Sequence, residues 1–401
     1  MKARLLLCAG MAIGLMASAN ARELVGPVGP IHVLPLAPAW STTDLRSGTT
    51  LPSGEVTVNN VKVKWQIGNY LSGGLRIYGL LCTPTSLPAP YPVAILNHGL
   101  EWTTINGQLV FPAIMANGLT GCTTMAANGW LTAITTYRGE QISETVSETI
   151  GARAVVNGEG SRVLPFPHPV PYLFSATSEG NLELCLGEVD DVLNLLSAVT
   201  ALPDANAKHV LMWGHSHGSC ITERAIERGA PVQIAVSLDG PTDFTTWSNN
   251  NPILAPTVAA QDARSSAYSG NNPAKLAGVN FLRIHAEADT AVTPDQGCEL
   301  ASKLPKIAAS FLNSNVTPPG VFYGAPKECS AFSIPWIYGK LLPDEVSGGQ
   351  WVSPTFLMYS GLSHTEILVK SWPEFASFVN AVTKSKGWHA SIPASFSVME
   401  N

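Results

Sequence analysis

Six short apolar runs, each closed by a glycine or a polar turn, constrain what this chain can fold into. They read YPVAILNHG, GWLTAITTYRG, HVLMWG, VQIAVSLDG, VNFLRIHAEAD and SPTFLMYSG. Short, nearly unbroken apolar runs are strands buried on both faces of a sheet. Helical spacing separates them: Val189, Val192, Leu193, Leu196 and Val199 form one apolar stripe in LGEVDDVLNLLSAVTAL. The spacing predicts further helices in FPAIMANGLTGCTTMAANG, in SHGSCITERAIERG, at about 294–304 and in SWPEFASFVNAVTKS. Upstream, residues 56–82 alternate apolar and polar positions about Gly73-Gly74, the pattern of antiparallel edge strands. The fold class is α/β, a mostly parallel central sheet flanked by helices, and no internal repeat is present.

The N-terminus, MKAR followed by LLLCAGMAIGLM and ASANA, reads as a secretory signal peptide (1–21) cut after Ala21. Leu7 stands where a lipoprotein signal has a small residue, so lipidation of Cys8 is not expected. An N-terminal extension at 22–55 is expected to lead into one domain at 56–388, with a tail at 389–401. Within the domain, loop or cap insertions are expected at about 140–181, where LPFPHPVPY is too rich in proline for regular structure, and at 242–278 and 305–350. The product is expected to be secreted or periplasmic, with no membrane anchor, since no later run reaches the roughly 20 apolar residues a bilayer requires.

Composition narrows the partners. Apolar residues make up 45% of the chain and charged residues 13%, against about 25% charged in ordinary soluble domains. A net charge of −6 and a pI of 5.8, without any basic run, argue against nucleic acid as partner. Oligomeric state is left open. Six cysteines follow the leader: Cys82, Cys122, Cys185, Cys220, Cys298 and Cys329. An even count in an exported protein favours disulfides, and none has the C-x-x-C spacing of zinc or redox sites. The sequence suggests Cys298 with Cys329 and leaves Cys220 buried and free.

The chemistry concentrates at Gly214-His215-Ser216-His217-Gly218, where a strand turns directly into a helix. This is the G-x-S-x-G elbow in its required context. The serine must project from a sharp turn, and flanking glycines remove side chains that would strike neighbouring backbone. A general base and an orienting acid are expected downstream, each beyond a strand end. His364 in YSGLSHTEI and Asp289 in HAEADTAVTP meet that requirement, at the same sheet edge as Ser216. Asp239 in SLDG and Glu287 are alternative acids. His215 and His217 are alternative bases, though neighbours on so tight a turn point away from the hydroxyl. His98 and His285 read as structural residues. The oxyanion of an acyl-transfer intermediate would be held by backbone N–H groups of His217 and Leu100, with Gly99 next in order. Neither a cofactor nor a metal is implied.

These residues, with PVAILNHG, NGWLTAITTYRGE, FLRIHAEADTAVTP and GLSH in that order, resemble the α/β-hydrolases. Closest are the prolyl-oligopeptidase-like and dienelactone-hydrolase-like serine hydrolases, over roughly 75–385. The resemblance implies the α/β-hydrolase fold and gives Ser216, Asp289 and His364 the triad roles. Two departures bear on substrate. Fewer than about 60 residues would precede the first strands after cleavage, too few for a gating β-propeller, and EQIS replaces the usual continuation of Tyr137-Arg138-Gly139.

The function expected is therefore cleavage of a small-molecule or polymeric carboxylic ester through an acyl-enzyme. The few charges, with Trp102, Trp247, Trp336 and Trp351 near presumed rim loops, suit an uncharged substrate. A small exopeptidase or amidase on the same triad is the alternative, and a non-catalytic binding protein on the same fold is the third reading.

Overall fold

The computed structural model describes residues 38–100, 103–105, 108–110, 112–114, 116–143, 175–247, 255–314, 320–321, 325–336, 351 and 353–393. Eleven strands in these residues make one sheet: β1 (Ser53–Val58), β2 (Val61–Ser72), β3 (Leu75–Pro84), β4 (Tyr91–Asn97), β5 (Leu131–Thr135), β6 (Ala205–His215), β7 (Ile234–Leu238), β8 (Asn280–Ala286), β9 (Ala308–Asn313), β10 (Gly320–Val321) and β11 (Thr355–Tyr359). Their order across the sheet is β1-β2-β3-β5-β4-β6-β7-β8-β11-β9-β10. Every pairing from β5 to β9 is parallel, and the outer pairings are antiparallel. This is the α/β-hydrolase arrangement expected from the sequence. β2 and β3 meet at the Gly73-Gly74 turn, both glycines at positive φ.

The helices that matter here are α1 (Ala116–Ala127), α2 (Gly187–Thr200), α3 (His217–Glu227), α4 (Asp295–Lys303) and α5 (Trp372–Ser385). Strand alternation sorts side chains between the two faces. In β8, Phe281 joins the core that holds Val189, Val192 and Leu196 of α2, Ile221 and Ala225 of α3, and Leu300 of α4. Leu282, Ile284 and Ala286 point the other way, into the core formed with Phe375, Phe378 and Val379 of α5. Each such buried valine, leucine, isoleucine or phenylalanine stabilises by roughly 1.5–3 kcal/mol relative to exposure.

Residues 38–52 lie along β2 and β3. Trp40 covers these strands so closely that a Cβ on Gly68 would fall 2.3 Å from its ring, and one on Gly79 would fall 3.3 Å away. Asp44 is buried beside them, accepting hydrogen bonds from Arg76 and from the Tyr78 hydroxyl.

The stretch expected to be irregular at 305–350 contributes β9, paired in parallel with β11. Its run AASFLN is short and mixes two alanines and a serine with its apolar residues, too weak a pattern to separate strand from loop. All six cysteines pair: Cys82 with Cys122, Cys185 with Cys220 and Cys298 with Cys329, at Cα separations of 5.8, 5.9 and 5.3 Å. The expected Cys298–Cys329 pair is present. The expectation that Cys220 is free is overturned, because the chain entering α2 brings Cys185 beside the first turn of α3.

Candidate active site

Ser216 is the single residue between β6 and α3, at φ 54° and ψ −121°. A non-glycine residue in that region stores backbone strain, and the surroundings enforce it. The Ser216 N–H donates to the Leu238 carbonyl at 2.8 Å, and the Ser216 carbonyl accepts from the Ser219 N–H at 2.9 Å. Both flanking glycines are required by close backbone approach. A Cβ on Gly214 would lie 2.0 Å from the Gly218 carbonyl oxygen, and one on Gly218 would lie 1.9 Å from the Asn97 carbonyl oxygen. The loop after β4 passes over the elbow, where a Cβ on Gly99 would stand 3.4 Å from the Ser216 Cβ. Leu100, the next residue, is half-buried. The N–H of His217 opens α3, where the positive end of the helix dipole favours developing negative charge.

His364 and Asp289 come together across 75 residues of sequence, with Nδ1 of the imidazole 2.6 Å from Oδ2 of the carboxylate. Asp289 follows β8 and His364 follows β11, adjacent parallel strands that carry both to one edge. The other oxygen, Oδ1, accepts from the N–H groups of Ala291 and Val292 at 2.8 and 2.9 Å. Burial opposes ionisation of Asp289, yet the hydrogen bond from His364, the imidazoles of His285 and His364 and the Val292 N–H outweigh it. Its pKa falls below the usual carboxylate value. The His364 Nδ1 position is thereby committed, and Nε2 remains for proton exchange.

The two histidines beside Ser216 are committed elsewhere. His215 Nε2 lies 2.9 Å from the backbone oxygen of His364, so it carries the proton and donates. His217 Nε2 accepts from the Cys185 N–H at 3.2 Å. Burial lowers both pKa values to about 3, so both are neutral. The start of α2 sets the Cys185 contact. Glu188 turns back to accept from the N–H groups of Glu183, Leu184 and Leu186, while Arg138 binds Asp191 through backbone and guanidinium. His98 faces the Gly99 oxygen with Nδ1 at 2.8 Å and the Thr135 oxygen with Nε2 at 3.0 Å, and packs on Tyr137. Burial pushes its pKa down to about 4, and its two contacts fix the backbone of the loop.

Of the alternative acids, Glu287 accepts from the Gly361 N–H at 3.1 Å and braces the turn before His364. Asp239 lies deeper, with Oδ1 accepting from the Ala286 N–H at 2.8 Å. Sequence reasoning missed the buried charge cluster beneath this edge. Arg283 binds Glu223, Ser219 and Ser237 through Nη1, and reaches the Gly240 oxygen and His285 Nδ1 through Nη2. An arginine inside the strand FLRIHA of so lightly charged a chain was the available signal.

Among the described residues, three groups bring three metal-ligating side chains within 4.8 Å of one another. In Cys185, His217 and Cys220 the sulfurs are joined to each other. In Asp239, His285 and Asp289 the imidazole is taken at both nitrogens, by Arg283 and by the Val292 oxygen. In His215, Asp239 and His364 the imidazoles already serve the His364 carbonyl and Asp289. Of the tryptophans placed at the rim by sequence, Trp336 packs on Phe356 and Trp351 on Phe378, both against the core. Trp247 donates to the Ala291 oxygen at 3.0 Å, beside the Asp289 turn. Trp102 lies outside the described residues.

Residues 177–315 match the profile of the prolyl oligopeptidase family, Peptidase_S9, a span that holds Ser216, Asp239 and Asp289. No curated protein matches in sequence. Similar solved structures include the Pyrococcus horikoshii acylaminoacyl peptidase, at 13% identity and a TM-score of 0.46, over 84% of this chain and 43% of that one. A puromycin-hydrolyzing peptidase of Mycobacterium tuberculosis gives 13% and 0.46, over 84% and 40%. Dipeptidyl peptidase 4 of Porphyromonas gingivalis gives 12% and 0.41, over 79% and 32%. The chain spans less than half the length of each of these three. Sheet order and the strained elbow are those of the α/β-hydrolase fold, and the profile match over 177–315 marks a similarity to the prolyl oligopeptidase family.

Proposed function

We propose that the protein is an exported serine esterase that cleaves uncharged carboxylic esters through an acyl-enzyme. The observation that carries this reading is the 2.6 Å pairing of His364 with Asp289 at the sheet edge that also presents the strained Ser216. In the first half-reaction the Ser216 hydroxyl oxygen attacks the ester carbonyl and its proton passes to His364 Nε2. The tetrahedral oxyanion takes hydrogen bonds from the backbone N–H groups of His217 and Leu100, each worth about 3 kcal/mol in such sites. Collapse breaks the carbon–oxygen bond, and the alcohol leaves with the proton from His364. Water then repeats the cycle, releasing the acid and restoring Ser216. Asp289 holds the Nδ1–H tautomer throughout and stabilises the imidazolium. The leader ending at Ala21 supports export, and the low charge supports a small-molecule or polymeric neutral ester. No step requires a cofactor or metal, and no basic surface run supports a nucleic-acid partner.

The match to the prolyl oligopeptidase profile favours a second reading, the same triad acting on an amide. An exopeptidase would need carboxylates to hold the substrate's free amine. Asp239 and Asp289 at this edge are buried, and Glu287 is bonded to Gly361. Turnover of short p-nitrophenyl esters against aminoacyl p-nitroanilides decides between the readings. Esters are expected to be cleaved, and cleavage of the anilides alone overturns the esterase reading.

A further inference from the structure

Asp239 is a carboxyl group for which the mechanism above has no use. It directly follows β7 at φ 47°, a strained position for a non-glycine residue, and is fully buried. Its N–H donates to the Ile284 oxygen at 3.1 Å and its Oδ1 accepts from the Ala286 N–H at 2.8 Å. Its Oδ2 is buried and has no hydrogen-bond partner among the described residues. A buried carboxylate oxygen left bare is costly, whereas a protonated one is tolerated.

The neighbours explain which form it takes. His285 Nε2 stands 3.8 Å from the Asp239 carboxyl and 3.9 Å from that of Asp289, so the two acids flank one imidazole. That imidazole is neutral: Arg283 donates to its Nδ1 at 3.1 Å and its Nε2–H donates to the Val292 oxygen at 3.0 Å. It therefore cannot compensate two charges. Asp289 has two backbone donors and His364, and Asp239 has one backbone donor. Burial first, and the Asp289 charge second, push the Asp239 pKa well above the carboxylate range, against the Arg283 charge. One oxygen of Asp239, one nitrogen of His215 and one of His364 all lie within 4.8 Å of one another.

We propose that Asp239 is a reserve acid of the triad, neutral while Asp289 carries the charge and able to orient His364 as a carboxylate once Asp289 is removed. It acts through His364 and is a positioning residue. The proposal rests on the triad assigned above, though not on ester as the substrate.

A double-mutant cycle tests it, read by the rate of covalent labelling with a fluorophosphonate, which reports Ser216 reactivity whatever the natural substrate. Asp239→Asn keeps an oxygen for the Ala286 N–H and is expected to slow labelling less than 3-fold. Asp289→Asn is expected to slow it about 100-fold, less than the roughly 10⁴-fold seen when such an acid has no substitute. The double variant is expected to fall at least 10-fold below Asp289→Asn. Losses that simply multiply would give Asp239 a structural role and overturn the proposal. The pH profile is the second readout. In Asp289→Asn the reserve acid must ionise, so labelling is expected to rise with pH more steeply than in the double variant. Parallel profiles overturn the proposal. The groups facing Asp239 are Asp289, His215, His285, Arg283 and His364, all retained in that comparison except Asp289. Should Asp239→Asn melt early, Asp239→Thr repeats the cycle with another oxygen acceptor. Absence of labelling in the wild type would remove the triad and this proposal with it. Labelling without ester turnover would sink only the esterase reading.

Discussion

His215 donates from Nε2 to the backbone carbonyl oxygen of His364 at 2.9 Å, tying the nucleophile elbow to a loop 149 residues away. The residue before the serine thus holds His364, the proposed base, in place without itself exchanging protons. A lost hydrogen bond of this kind costs about 1–1.5 kcal/mol, or roughly tenfold in rate if it is felt in the transition state. His215→Leu is expected to lower kcat about tenfold, with the fluorophosphonate still reaching Ser216. Glutamine places an amide donor near the Nε2 position, so His215→Gln is expected to stay within about threefold of wild type. Equal losses in the two variants would assign the effect to packing.

Ser216 and His364 are expected to act as one unit. Ser216→Ala and His364→Ala should each reduce ester turnover by about 10⁶-fold, and the double variant should be no slower than either alone. Labelling should vanish in Ser216→Ala. By contrast, His217→Phe leaves the backbone N–H of residue 217 in place and should cost far less than His364→Ala. A comparable loss in His217→Phe would move the base to His217 and undo the assignment made from its contact with Cys185.

The His364–Asp289 pairing and the strained turn at Ser216 were legible in the sequence, for reasons that particular residues show. β4, β7, β11 and the second half of β6 are buried on both faces and read as apolar runs, β8 is one interrupted by Arg283 and His285, and Ser216, Asp289 and His364 each follow such a strand. The elbow was visible because close approach to Asn97 and within the α3 turn admits only glycine at 218 and 214. What stayed hidden depends on tertiary distance. SLDG and EADT both place an aspartate beyond a strand, and only the neighbouring loop decides that Asp289 faces His364. Cys220 looked free because its partner lies 35 residues upstream, at a turn set by Glu188. β9 was hidden because AASFLN is equally compatible with a loop.

The Cys185–Cys220 disulfide closes a 35-residue separation, between those of Cys298–Cys329 at 31 and Cys82–Cys122 at 40. Loop entropy therefore gives the three similar stabilisation, about 3–4 kcal/mol each. Their effects on activity should differ, since only Cys185–Cys220 joins the first turn of α3 to the chain that binds His217. Replacing each pair by serines is expected to lower Tm comparably, while only the Cys185/Cys220 variant loses several-fold in kcat at temperatures where it remains folded. Peptide mapping of the unreduced protein checks the pairing, and a free thiol at Cys220 would contradict it.

Acid sensitivity is expected to centre on Asp44. Burial alone would raise its pKa, but the Tyr78 hydroxyl, the N–H groups of Ser47 and Arg46 and the Arg76 guanidinium outweigh that and hold it far below the usual carboxylate range. A carboxyl whose pKa is depressed by folding contributes stability that is full above its unfolded pKa and is lost as pH falls through the folded one. The contribution is therefore present at pH 7, begins to decline near pH 4 and continues to decline below it. Asp44→Asn is expected to lower stability by about 2 kcal/mol at pH 7, the scale of charge-assisted hydrogen bonds. The difference between variant and wild type should narrow as pH falls below about 4, because the wild-type carboxyl then approaches its protonated form. Urea midpoints at pH 7, 4 and 3 check the sign, and a gap that widens toward acid would contradict the assignment of a depressed pKa to Asp44.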